Sequence, residues 1–218
     1  MLPPGSLDAL KRIADRANDV LAAYAPGAVP QFGDVAARNA PLPVDDPLSV
    51  AAPPGAWFVT SGENGARTYT RAGGFQIGAD GTLQTIDGAR VLGTPAGGGA
   101  IGPLRLPEPD RTLGRCGDVH LEDDGVLAYT RASIDPRTRE RTLERAVVGR
   151  IALARFPAGT DPQRIDVTHF AAVAGVVPHL GVPSEGGFGP LATWARDTGS
   201  VDIDAGLQRL TEAYVAFS

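Results

Sequence analysis

Residues Tyr69 to Gly93 read YTRAGGFQIGADGTLQTIDGARVLG, an alternation of apolar and polar positions interrupted twice by Asp-Gly. Phe75 and Ile77 fall on one face of a first strand, Asp80-Gly81 reverses the chain, and Leu83 and Thr85 share a face of the strand that returns. Asp87-Gly88 turns it again. Asp-Gly suits two-residue hairpin loops, because Gly takes positive φ without a Cβ clash and Asp tolerates the left-handed region. Only Thr82 to Ile86 separate the two reversals. That is too short for a helix, and it fixes the register. The stretch is predicted to be a three-stranded antiparallel meander.

These residues also resemble the shared signature of the flagellar rod and hook proteins, the axial subunits of the bacterial flagellum. The pattern is Tyr-Thr-Arg, a small residue, Gly or Ser, Phe, a short spacer, Asp-Gly, a hydrophobic residue and a second turn. Tyr69, Thr70, Arg71, Gly73, Phe75, Asp80, Gly81, Leu83, Gly88 and Leu92 fill it in order and without a gap. A generic two-turn meander is the alternative for the same residues. The resemblance implies a structural, non-enzymatic protein with no cofactor, packed against copies of itself or other axial subunits. It also implies export through the flagellar apparatus to a periplasmic or extracellular place in the basal body, without a cleaved secretory signal.

A chain of 218 residues suits one domain with appendages and has room for a sizeable core. Its 28 Gly and 19 Pro favour many turns, hence β structure over helix. The net charge of −5 offers no basic footprint for nucleic acid. No apolar run approaches the roughly 18 residues of a membrane span, so no membrane insertion is expected. The single cysteine, Cys116, excludes an internal disulfide and a thiolate metal cluster.

Around the meander the chain divides into three parts. Within residues 1–46, Leu7, Leu10, Ala14, Ala17, Leu21 and Tyr24 recur at spacings of three and four, predicting an amphipathic helix capped by Ser6 and stopped by Pro26-Gly27. An Ala/Pro-rich connector follows. Residues 47–198 are predicted to form an antiparallel β domain, and residues 199–218 a second helix with Leu207, Leu210, Ala213, Tyr214 and Phe217 on its stripe. The fold class is therefore mainly β with short terminal helices. By resemblance these helices, with Leu7, Leu10, Leu21, Leu207 and Leu210 as assembly positions, line the inner tube. Relative to the family they are expected to be shortened.

Inside the β domain, Pro41 to Pro54 allows only short strands, and Trp57-Phe58-Val59 reads as a buried one. Gly97-Gly98-Gly99 reads as a loop; a phosphate cradle would need a strand before it and a helix after it. Val119 to Tyr129 repeats the strand-turn-strand pattern around Asp123-Asp124-Gly125. Arg131 to Arg145, with five arginines against three carboxylates, is expected to be a solvated loop rather than a binding face. Val147 to Phe156 is expected to be a strand with Val147, Ile151 and Leu153 on one side, and Gly175 to Pro190 a loop.

Candidate chemistry is sparse. His120 and Glu122 share a strand face as a candidate metal or acid-base pair, but Asp123-Asp124-Gly125 is already accounted for as a turn. Asp202-x-Asp204-x-Gly206 opens like a calcium loop, yet Ala213 stands where its bidentate Glu belongs. No catalytic, cofactor or metal residue is assigned. Two function classes remain: an axial subunit, and a monomeric β-rich binding module derived from the same family that no longer polymerises.

Overall fold

The turns decide the local architecture, and their geometry differs from the two-residue hairpin expected. The structure, a computed structural model, describes residues 41–62, 65–108, 110, 116–135 and 137–197. At the first reversal the Gly78 amide donates to the Thr82 carbonyl at 2.8 Å and the Gly81 amide to the Gly78 carbonyl at 2.8 Å, enclosing a three-residue loop, Ala79-Asp80-Gly81. The second encloses Ile86-Asp87-Gly88 in the same way, and a third Asp123-Asp124-Gly125. Gly81, Gly88 and Gly125 have φ of +84°, +91° and +82°, while none of the four aspartates in these loops has positive φ. This is a tight turn closed by a left-handed residue, the bulged three-residue hairpin. Asp80 prefers it because its carboxylate accepts the Thr82 amide at 3.0 Å and the Thr82 hydroxyl at 2.7 Å. Those bonds hold the Asp80 carboxyl below its usual range.

The first strands are β1 (Leu42–Pro43), β2 (Val50–Ala51), β3 (Ala56–Ser61), β4 (Arg67–Thr70), β5 (Phe75–Ile77), β6 (Leu83–Thr85), β7 (Arg90–Pro95) and β8 (Gly102–Pro103). The next are β9 (Cys116–Leu121), β10 (Val126–Ile134), β11 (Arg141–Ile151) and β12 (Leu153–Arg155). The last are β13 (Gln163–Arg164), β14 (His169–Ala171), β15 (His179–Gly181), β16 (Ala192–Thr193) and β17 (Ala195–Arg196). The main sheet runs β13-β14-β4-β3-β7-β11-β10-β9, with β5-β6 and β8 joined through β7 and β15 through β12. Its pairings are antiparallel, and Leu42–Asp197 forms one compact unit. The helices predicted around Leu7, Leu10, Leu21, Leu207 and Leu210 lie outside the described residues.

The centre of the sheet is buried on both faces. Along β3, Phe58 enters one apolar cluster with Val50, Phe75, Leu83, Val91, Leu127, Ile151 and Leu153, and Val59 enters another with Tyr69, Leu92, Ala152, Ala154 and Phe170. Edge-to-face rings knit each cluster: Phe58 with Phe75 at 5.1 Å, and Tyr69 with Phe156 at 5.0 Å. Ala152 is the pivot. Its amide donates to the Leu92 carbonyl at 2.9 Å and its carbonyl accepts the Val59 amide at 3.2 Å, so the chain leaves β7 as β11 and reaches β3 as β12.

Three expectations need correction. Arg131 to Arg145 is solvated but is not a loop: β10 and β11 continue as paired strands from Thr130↔Arg145 to Ile134↔Arg141, leaving only 135–140 as the turn. Exposure on both faces of its outer part removes the apolar alternation by which a strand is recognised. Ile151 and Leu153 do share a face, yet Val147 does not join them. The register skips Val148 between Leu127↔Gly149 and Ala128↔Val147, so this bulge turns Val148 toward the core and leaves Val147 36% exposed. Gly175 to Pro190 contains β15, which pairs with β12.

One glycine is there for proximity. A Cβ on Gly73 would stand 1.6 Å from the Val50 carbonyl oxygen, whereas one on Gly88 would meet open space and suffer only from the backbone angle. Gly88→Ala is expected to cost about 1–2 kcal/mol. Gly73→Ala should cost upward of about 4 kcal/mol, because backbone must move. Urea unfolding of the two variants side by side checks the difference.

Candidate functional site: where the chain enters and leaves the β unit

Two short ladders hold the start of the β unit against its end. Leu42 pairs with Arg196 and Pro43 with Ala195. Val50 then pairs with Thr193 and Ala51 with Ala192. Between the ladders Trp194 has φ of +55°, and the Val44 amide donates to its carbonyl at 2.8 Å. Such small ladders would fray unaided, and two arginines brace them.

Arg71 is the first brace. Its Nε donates to Asp197 Oδ2 at 2.6 Å, Nη1 to the carbonyls of Ala56 at 2.7 Å and Pro53 at 3.2 Å, and Nη2 to the Ala52 carbonyl at 3.3 Å. The Arg71 and Asp197 side chains are only 17% and 16% exposed, so this pair is shielded from the water that weakens surface ion pairs. A guanidinium suits this position because it presents a rigid fork of donors to several acceptors at once, which an ammonium cannot.

Arg196 is the second brace. Its Nε donates to the Ser49 hydroxyl at 2.8 Å and Nη2 to Asp46 Oδ2 at 2.9 Å, while Ser49 donates to the same oxygen at 2.6 Å. Burial pushes the Asp46 carboxyl up, but the hydrogen bonds from Ser49, Leu48 and Arg196 outweigh it and leave it below the usual carboxylate range. The Arg196 guanidinium also lies flat against Gly74, where a Cβ would be 3.1 Å from its Cζ.

The structure distributes the signature residues among distinct roles. Arg71 and Gly73 meet at this brace, where the Gly73 carbonyl accepts the Val50 amide at 2.9 Å. Thr70 is buried and its hydroxyl accepts the Ala72 amide at 3.0 Å. Tyr69 and Leu92 belong to one apolar cluster, and Phe75 and Leu83 to the other. Asp80, Gly81 and Gly88 make the loops. Asp46, Ser49, Arg196 and Asp197 escaped the sequence reading. Asp46-x-x-Ser49 hints at a local turn, but nothing local pairs either residue with Arg196 about 150 positions away.

The candidate pair His120 and Glu122 is engaged structurally. His120 Nε2 lies 3.5 Å from Glu122 Oε1, but Glu122 also receives Arg145 Nη2 at 2.6 and 2.8 Å. No group of three His, Cys, Asp or Glu among the described residues is placed to hold a metal ion. Tyr129 donates to Asp110 Oδ2 at 2.9 Å, and burial with this neighbouring carboxylate pushes the phenol up to about 12. Among the described residues no helix is long and apolar enough to cross a membrane.

Two comparisons bear on this arrangement. Residues 55–129, which include Arg71, Gly73 and the whole meander, match the flagellar hook protein FlgE/F/G D1 domain. Over 120 residues the chain is 32% identical to the flagellar basal-body rod protein FlgF of Salmonella typhimurium, a match spanning 55% of this chain and 39% of that relative.

Arg71→Ala is expected to lower stability by about 3 kcal/mol, since it strands buried carbonyls and the Asp197 carboxylate. Arg71→Lys should recover less than half of that loss. Denaturant unfolding of the three proteins measures both.

Proposed function

We propose that the chain is a member of the flagellar rod and hook protein family and that it serves as an axial structural subunit of the bacterial flagellar basal body, a reading supported by the match of residues 55–129 and by the 32% identity to a rod protein. In this reading residues 47–198 are the β domain, and the segments 1–46 and 199–218 supply the assembly helices, with Leu7, Leu10, Leu21, Leu207 and Leu210 as their contact positions. The protein would leave the cytoplasm by flagellar export and pack with copies of itself or related axial subunits. It acts as a scaffold, with no catalytic step and no cofactor.

The observation that carries the reading is the double brace at Arg71 and Arg196. A β unit whose first and last strands are hydrogen-bonded together delivers both flanking segments from one place. That is what a subunit needs if the segments at its two ends are to act jointly. The competing reading, a monomeric binding module, draws on the same unit having a core of its own.

Deletion of the gene in the source bacterium tests the choice. The axial reading expects non-swimming cells with incomplete basal bodies under the electron microscope, restored by the wild-type gene and not by a Leu10→Asp, Leu210→Asp variant. A deletion strain that swims and builds whole basal bodies would contradict it.

A further inference from the structure

Three reversals of the β unit have the same backbone but use their aspartates differently. In the loops Ala79-Asp80-Gly81, Ile86-Asp87-Gly88 and Asp123-Asp124-Gly125 the glycine amide donates to the carbonyl three residues back, at 2.8, 3.0 and 3.0 Å. In the first and third loops the aspartate before the glycine is tied down twice. The Asp80 carboxylate accepts the Thr82 amide at 3.0 Å, and Arg105 Nε donates to the Asp80 carbonyl at 2.8 Å. The Asp124 carboxylate accepts the Val126 amide at 3.1 Å, and Arg150 Nη2 and Nε donate to the Asp124 carbonyl at 3.0 and 3.2 Å.

The middle loop has neither tie. There the Ala89 amide donates to the Thr85 hydroxyl at 3.0 Å, so a neighbour does what the aspartate does in the other two. Among the described residues no group donates a hydrogen bond to the Asp87 carboxylate or to its backbone carbonyl. His169 Nδ1, 3.2 Å from Asp87 Oδ2, has its hydrogen-bond geometry toward Thr168 Oγ1 and Asp166 Oδ1 instead. The Asp87 side chain is 52% exposed, and a Cβ on Gly88 would meet open space where one on Gly125 would strike Pro183 Cγ at 2.6 Å.

In an Asp-Gly pair the carboxyl group and the following amide can react with each other, because glycine adds no side chain to hinder their approach. Gly88 N bonds to Asp87 Cγ, the carboxyl hydroxyl leaves with the amide proton as water, and a five-membered succinimide results. Water then opens the ring at the Asp87 backbone carbonyl carbon, which routes the chain through the side chain as isoaspartate, or at Cγ, which restores aspartate. Nothing is oxidised or reduced, and water is the only reagent. Ring closure requires the peptide between the two residues to rotate and the carboxyl to give up hydrogen bonds that stabilise its anion. The arginines oppose the first at Asp80 and Asp124, and the amides of Thr82 and Val126 oppose the second. The neutral acid is the electrophile, and the bonds that hold the Asp80 carboxyl below its usual range keep it scarce there. The glycine amide's own bond is common to all three loops and does not separate them.

We propose that Asp87-Gly88 is a modification site of the folded protein, converting to isoaspartate while its two sister pairs persist. The conversion adds one atom to the backbone of the reversal where β6 meets β7 at Gln84↔Arg90, and it re-aims the carboxylate that faces His169. The chemistry is the same whether or not the chain is an axial subunit.

The test holds the full chain for several weeks in mildly acidic buffer, once folded and once in concentrated urea, and locates isoaspartate by electron-transfer fragmentation of its peptides. In the folded chain Asp87 should convert about tenfold faster than Asp80 or Asp124, the factor set by a hydrogen bond to a charged group that must break first. In urea the three rates should converge. Arg105→Gln, at an exposed position, should raise the Asp80 rate and leave the Asp87 rate alone, with circular dichroism confirming the fold. Equal conversion at the three sites of the folded chain, a slower Asp87, a ranking unchanged by urea, or an Arg105→Gln protein whose Asp80 is no faster overturns the proposal.

Discussion

The β unit is held together at its ends by the fork of the Arg71 guanidinium. One side chain reaches the carbonyls of Ala52, Pro53 and Ala56 and the carboxylate of Asp197, and so ties the approach to β3 to the last residue of the unit. Without that tie, β1 and β17 are two-residue strands with little to hold them. With it, the place where the chain comes in and the place where it goes out become one rigid structure. The Tyr-Thr-Arg-x-Gly-Gly run is then a single device: Tyr69 anchors in the core, Arg71 forks across the gap, and Gly73 and Gly74 have no side chain because Val50 and Arg196 occupy that space.

The sheet supplies the rigidity that makes this useful. Phe58 and Val59 point into separate apolar clusters, so β3 is clamped from both sides, and β12 and β7 flank it with the same double burial. Fully burying a side chain of the size of Phe58, Leu83 or Leu153 contributes about 1.5–3 kcal/mol each. A frame of this kind resists rearrangement, because close-packed interiors deform little.

Much of the frame was legible in local sequence. Asp80-Gly81 and Asp87-Gly88 announced the meander, and Phe75, Ile77, Leu83 and Thr85 stood on the faces their alternation indicated. The loop length was misread because Asp-Gly serves both the two-residue and the bulged three-residue turn, and only the position of the closing hydrogen bond separates them. The outer β10–β11 ribbon was missed since it has no buried face to impose a period of two. The bulge at Val148 was invisible for another reason: one inserted residue reverses every facing after it and leaves no mark in composition. The brace itself joins residues 126 and 150 positions apart, a distance over which no local pattern carries information.

Whether the two ends are truly joined is decided by native-state amide hydrogen exchange. The Val44 amide, bonded to the Trp194 carbonyl, and the Ala195 amide, bonded to the Ser49 carbonyl, sit on the short ladders and far in sequence from the core strands. If the arginine forks make the ends part of the frame, both amides exchange only with the global opening that releases the amides of Phe58 and Leu83. Exchange of Val44 and Ala195 by local fraying, orders of magnitude faster than those core amides, would show that the ends come apart on their own and that the forks do not unite them with the frame.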